Sequence, residues 1–311
     1  MEKGKYNILN FKLYYIIQGI RMEKAKVYFT SKISPESLVE IFEKLGKELP
    51  GKVAVKLHSG EHGNKNYLRP EFVKQIIEKV NGTVVECNTA YPGERNTTEK
   101  HKKLMEEHEW SKYFNVDIMD EEGPDMELEI PDGLQIKKNF VGKHMANYDS
   151  MLVLSHFKGH AMGGFGGALK QLSIGCASSY GKAYIHGAGD PEADMFKTEQ
   201  VSFVKSMGDA ASSVHKYFNG NILYINSMVN ISIDCDCDGN ASAPCMKDIG
   251  ILASTDPVAI DKACLDIIYN SNDPGKEKLI QRIEEKKAIH IIETAEKLGT
   301  GTTEYELINI D

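Results

Sequence analysis

Three imidazoles, three lysines and seven glycines fall within one stretch, His156 to His186, which reads HFKGHAMGGFGGALKQLSIGCASSYGKAYIH. Imidazoles suit proton transfer near neutral pH and metal ligation, so His156, His160 and His186 are candidates for either. Gly163, Gly164, Gly166 and Gly167 precede Lys170 at the start of an expected helix. Glycines let backbone N–H groups turn toward a ligand without Cβ obstruction, and a helix N-terminus adds partial positive charge. Together they predict an anion site of the kind that takes phosphate, with Lys170 placed to contact the anion or react with it. The competing reading is tight helix–sheet packing by the glycines and a solvated lysine. Gly-Lys-Ser/Thr is absent, and Leu169 stands where a third glycine of GxGxxG belongs, so neither ATP nor NAD is implied by motif.

A second cluster is Cys235, Cys237 and Cys245. Thiolates at such spacing could hold a soft metal, zinc or an iron–sulfur fragment, with Cys176 as a candidate fourth ligand. The plain alternative is a polar turn with inert thiols. Asp234-Cys-Asp236-Cys-Asp238-Gly239 opens like a calcium loop, but Cys245 occupies position twelve instead of Glu, which argues against an EF-hand. His58 and His62 follow a strand and are candidates for a pocket at its end; the order of residues excludes HExxH. Glu86 is a strand-end candidate base. Asp256 and Asp261 read as a helix cap and a first-turn acid rather than as catalytic groups.

The elements that would position these groups alternate. Strands are expected at Lys26–Thr30, Val53–His58, Thr83–Asn88, Val116–Met119, Ser150–Ser155, Ile222–Ile233, Ile249–Ser254 and Tyr305–Ile310. Helices are expected from Ser34 to Leu49, Pro70 to Val80, Thr97 to Ser111, after the glycine loop, Pro191 to Phe218, Pro257 to Tyr269 and Lys276 to Leu298. This predicts an α/β fold, a mostly parallel sheet with helices on both faces, whose ligands sit at the carboxyl ends of strands. Residues 22–311 read as a single large domain, with a candidate division into two lobes near residue 219. Residues 1–21 read as an N-terminal extension before a second start-like Met22. The acidic stretch 120–133 reads as an exposed excursion.

Composition narrows the function classes. The net charge of -8, with eight carboxylates and no Lys or Arg between Asp117 and Asp132, disfavours nucleic acid and anionic lipid. No apolar stretch has the roughly 18 residues of a membrane helix. Six scattered cysteines in 311 residues do not form a disulfide framework, so the expected location is cytoplasmic, with thiols reduced or metal-bound. The expected partner is a small molecule; the oligomeric state stays open.

The glycine segment together with DIGILASTDPVAIDKACLDII at 248–268 resembles the domain-of-unknown-function family number 362, over nearly all of residues 25–311. Many of its members carry a ferredoxin-like insert with CxxC runs. None occurs here, so a ferredoxin-type cluster is not implied. More distantly the chain is similar to the catalytic domain of lactate racemase, which uses a nickel pincer nucleotide. His160 precedes Lys170 by ten residues and His186 follows it by sixteen, a spacing similar to that family's. The resemblance implies Lys170 as anchor of a nucleotide-type cofactor, His186 as metal ligand, His160 as an acid/base and Arg69 as a substrate or anion contact. Asn88-Thr89-Ala90-Tyr91 replaces a second catalytic histidine and Asn66 an aspartate, so a cofactor or metal pocket is implied, not two-base racemisation.

Three readings follow. One is a metal- or anionic-cofactor-binding protein doing proton transfer next to a carboxylate, in the manner of a racemase or epimerase. Another is an iron–sulfur or redox accessory protein holding metal through Cys235, Cys237 and Cys245. The third is a non-catalytic sensor of a nucleotide or phosphate. The metal is left open between nickel, zinc and iron.

Overall fold

The computed structural model describes residues 24–311; the extension expected at 1–21 lies outside the described residues. The elements in chain order are β1 Ala25–Thr30, α1 Pro35–Lys44, β2 Val53–Lys56, α2 Pro70–Lys79, β3 Gly82–Glu86, α3 Thr98–Glu107, α4 Trp110–Tyr113 and β4 Val116–Ile118. A two-stranded ribbon (β5 Met126–Glu129, β6 Lys138–Val141) precedes β7 Ser150–His156. Then come a second ribbon (β8 Lys158–His160, β9 Gly164–Gly166), α5 Ala168–Lys170 with a π turn Gln171–Gly175, α6 Ser179–His186, α7 Gln200–Tyr217, β10 Ile222–Met228 and β11 Gly250–Ser254. The chain closes with α8 Pro257–Asn270, α9 Lys276–Glu285, α10 Ile289–Lys297 and β12 Tyr305–Asn309.

Eight strands form one sheet in the order β12-β1-β11-β10-β7-β2-β3-β4. Only β11 runs against its neighbours; the other pairings are parallel. Side chains along a strand alternate between faces, and here both faces are apolar. Met151 and Val153 of β7, with Tyr224 of β10 and Leu252 of β11, join one buried cluster with Val204, Ala211 and Ile260. Leu152 and Leu154, with Leu223, Ile225 and Ala253, join another with Leu38, Ile41, Val73 and Ile77. Helices α7 and α8 therefore cover one face and α1 and α2 the other, as the α/β reading expects.

Several boundaries differ from expectation, each for a tertiary reason. The expected helix Lys276–Leu298 is two, α9 and α10, broken at Lys287, whose φ is 52°; at the break Ala288 packs onto Gly164, where no side chain would fit. The run Ile222–Ile233 leaves the sheet after Met228, and residues 229–249 turn over the strand ends. The helix expected from Pro191 starts at Gln200, where Glu199 accepts the Val201 and Ser202 N–H groups. Part of the excursion 120–133 is β5, which pairs with β6. Among the described residues no helix is long and apolar enough to cross a membrane.

Candidate functional site

Strands β3, β2, β7 and β10 are parallel neighbours, so their carboxyl ends lie side by side. The loops that follow them close a cavity of about 540 Å³. From β2 come Lys56, His58 and Glu61; from the β3 loop Tyr91 and Arg95; from the β7 ribbon His160; from the β10 loop Cys237. The π turn after α5 widens the helix so that Lys170, Gln171, Ile174 and Gly175 all face the cavity, and α6 contributes Lys182 and His186. Met195 and Phe196 form an apolar rim; Phe196 is 77% exposed.

The centre of this site is the sequence Cys235-Asp236-Cys237. The Asp238 N–H donates to the Cys235 carbonyl at 3.0 Å, closing a turn. Asn64 donates to the carbonyls of Cys235 and Asp238 at 3.2 and 2.7 Å, and the Glu61 N–H to that of Asp236 at 2.8 Å. Asp236 is buried and turned away from the sulfurs, against His156 Nδ1 at 2.9 Å and Lys158 Nζ. His156 Nε2 faces the Val229 carbonyl at 2.6 Å. With the carboxylate anchored behind, the flanking thiols face forward. Lys170 Nζ donates to Cys235 Sγ at 3.3 Å, and Cys237 Sγ lies 3.7 Å from His160 Nε2.

Gly159 permits this arrangement. Its N–H donates to the Ser232 carbonyl at 2.8 Å, and a Cβ there would stand 2.1 Å from the Ile233 carbonyl oxygen. Gly159→Ala should therefore separate His160 from the sulfurs and destabilise the fold by about 1–3 kcal/mol, as overpacking does. Urea unfolding measures this; an unchanged midpoint would mean that the two loops do not pack so closely.

The charges sort themselves. Burial alone would raise the Cys235 thiol, but the hydrogen bond from Cys237 and the charges of Lys170 and Lys158 outweigh it and hold the thiol well below its ordinary range. The Cys237 thiol is pushed well up, first by its hydrogen bond to Cys235 and then by burial. Burial opposes the Lys170 charge, yet the Cys235 and Cys237 sulfurs raise it overall. Burial and the neighbouring Lys170 lower His160. Burial, then His160 and Lys170, bring His186 down to about 3; its Nδ1 is buried without a hydrogen-bond partner, and its ring stacks on Phe203. Glu86 is paired with Lys56 at 2.7 Å, which overcomes burial and holds it ionised.

A ring nitrogen of His160 and the two sulfurs lie within 4.8 Å of one another, a group that could hold a metal ion. The other side of the imidazole opposes this. His160 Nδ1 accepts the Gly163 N–H at 2.8 Å and the Met162 N–H at 3.2 Å, so the hydrogen of the neutral ring is on Nε2, toward the sulfurs. A metal-bound imidazole instead donates from its second nitrogen. His160 thus fits a donor to sulfur, and a resident metal does not fit the Cys-Cys-His group as it stands.

His160, Lys170 and His186 line one cavity, and His58 and His62 reach it too, His62 at the exposed rim. Gly163, Gly164, Gly166 and Gly167 do not line it. The N–H groups of Ala168 and Leu169 that should have met an external anion donate to the Asp261 carboxylate at 2.8 and 2.9 Å; Gly167 leaves room for that carboxylate. Arg69 is exposed, stacked on Tyr67 and bonded to the Lys65 carbonyl. Cys245 donates to the Ile231 carbonyl at 3.3 Å, outside the thiol cluster, and Cys176 is buried elsewhere.

The sequence reading names neither Arg95 nor Lys182, and takes Asp236 only as part of a calcium-loop-like run. Asp236 left a signal, since alternation in Cys-Asp-Cys puts the sulfurs on one side and the carboxylate on the other. Arg95 and Lys182 left none. Arg95 is buried, with Nε on Glu61 at 3.1 Å and Nη2 on the Tyr91 hydroxyl at 3.0 Å. Lys182 Nζ donates to the Ala177 and Cys87 carbonyls at 2.6 and 3.4 Å, and burial lowers it.

The profile of a family described as domain of unknown function (DUF362) matches residues 53–266. The lactate racemase apoprotein from Thermoanaerobacterium thermosaccharolyticum is a distant structural neighbour, with a TM-score of 0.44 and 15% identity, over 77% of this chain and 56% of that one. A crystal structure of a Thermotoga maritima protein gives a TM-score of 0.42 and 12% identity, over 85% and 58% respectively. The chain thus spans little more than half the length of either. No curated protein matches the sequence.

Proposed function

The chain belongs to the DUF362 family, and we propose that its cavity binds a small anion, a carboxylate or phosphate compound, and moves a proton at the carbon next to that charge. One observation carries this: the paired sulfurs of Cys235 and Cys237, the first of them 3.3 Å from the Lys170 ammonium, adjoin a cavity that also presents a guanidinium and an ammonium with donors to spare. Lys56 is matched by Glu86, Arg95 by Glu61 and Lys170 by Cys235. Lys182 has no carboxylate or thiolate hydrogen-bonded to it among the described residues, and Arg95 commits only part of its five-donor fork. Both suit an incoming anion.

In this reading the substrate proton passes to the Cys237 sulfur as the Cys237 proton moves to Cys235. Lys170 stabilises the sulfur charge and His160 Nε2–H donates to the pair. Covalent anchoring of a cofactor at Lys170 would need a neutral amine, which the adjoining sulfurs disfavour.

The test is exchange of the C2 hydrogen of 2-hydroxy and 2-amino carboxylates in D2O, followed by NMR. The native protein should catalyse it. Arg95→Ala should raise the KM about 10- to 100-fold, the equivalent of one lost charge-assisted hydrogen bond of about 1.5–3 kcal/mol. No exchange with any compound, together with no slowing of Cys237 alkylation by malonate or phosphate, would end the proposal.

A further inference from the structure

We infer that Cys235 and Cys237 form a reversible dithiol–disulfide couple that reduces anionic organic disulfides admitted to the cavity. This goes beyond proton transfer and requires the same sulfurs in a different reaction. Cys235 and Cys237 are separated by one residue in a closed turn, with the Asp238 N–H on the Cys235 carbonyl. Their sulfurs lie within 4.8 Å of one another. Asp236, between them, is fixed on the opposite side by His156 and Lys158, so the sulfurs can approach by side-chain rotation. A disulfide closing so small a ring is strained and readily reduced, which suits cycling rather than bracing.

Access assigns the roles. Cys237 is partly exposed and lines the cavity, whereas Cys235 is buried behind it. Cys237 attacks one sulfur of the organic disulfide as its proton passes to Cys235; a Cys237–substrate bond forms, the substrate S–S bond breaks, and the first thiolate leaves with the proton from Cys235. The Cys235 thiolate, steadied by Lys170, then attacks Cys237 Sγ. The second thiolate leaves and takes a proton from water. In sum, the protein dithiol, carrying one thiolate, loses two electrons and its one thiol proton, and with a second proton from water these turn one organic disulfide into two thiols. An external dithiol restores the protein. Carboxylates on the substrate would meet Arg95 and Lys182, so the preference is for anionic over cationic disulfides.

The experiment mixes reduced full-length protein anaerobically with glutathione disulfide or with cystamine, then alkylates and maps by mass spectrometry. The expected result is a Cys235–Cys237 disulfide forming at least tenfold faster with glutathione disulfide. Cys235→Ser should trap glutathione on Cys237, and Cys237→Ser should leave position 235 unmodified; circular dichroism checks that both variants fold. A pair that stays reduced, an equal or faster reaction with cystamine, or trapping first at Cys245 or Cys87 would overturn the inference. The C2 exchange assay is run with the pair fully reduced, so it can succeed where this reaction fails, and the reverse.

Discussion

Lys170→Met should abolish the neutral-pH thiolate and reduce C2 exchange about a thousandfold. Methionine keeps the length of the side chain and removes the charge 3.3 Å from Cys235 Sγ. Two charges at about 4 Å in surroundings of intermediate polarity interact by about 4 kcal/mol, about a thousandfold in an equilibrium, and losing the ammonium lets the thiol titration move up. Absorbance at 240 nm, titrated against Cys235→Ser as the blank, follows the thiolate directly. Lys170→Arg should restore much of it. A midpoint in Lys170→Met within one unit of the native protein's would show that Lys170 does not hold the sulfur charge.

Asp236→Asn should cost the most stability. The carboxylate is buried between His156 and Lys158, and breaking a buried pair by removing one partner costs about 3–5 kcal/mol. The pH dependence has a definite sign. Burial would raise this acid, but the charges of His156 and Lys158 outweigh it and depress its folded-state value. Its contribution is therefore present above the unfolded value of about 4 and is lost as pH falls toward the depressed one. Urea unfolding from pH 6 down to pH 3 should show native stability falling and that of Asp236→Asn falling less steeply. A loss below about 1 kcal/mol at pH 6 would contradict the claim that this carboxylate anchors the turn.

Much of the architecture was legible because its cause is local. SMLVLS is apolar on both alternations, and such a strand must be covered on both faces. Pro257 after Asp256 and Pro35 after Ser34 mark helix starts that the structure shows, each with its cap bond made. The helix break at Lys287 was not legible, because what interrupts the periodicity there is the fit of Ala288 against Gly164.

For the site, the sequence by itself placed His160 on the loop after a buried strand, Lys170 at the helix start that follows and His186 sixteen residues on, and parallel-sheet geometry gathers ligands at such strand ends. It also placed Cys235 and Cys237 with a single residue between them. It could not say what answers each polar group, because those partners are remote along the chain. The anion for the helix after the glycine loop is Asp261, 93 residues from Ala168. The third member of the sulfur cluster is His160, 77 residues from Cys237, and not the neighbouring Cys245. Charge depends on distance and burial, so only the assembled tertiary structure decided that the Cys235 thiol is lowered, that the Lys170 amine beside it is raised, and that His160 turns Nε2 toward sulfur.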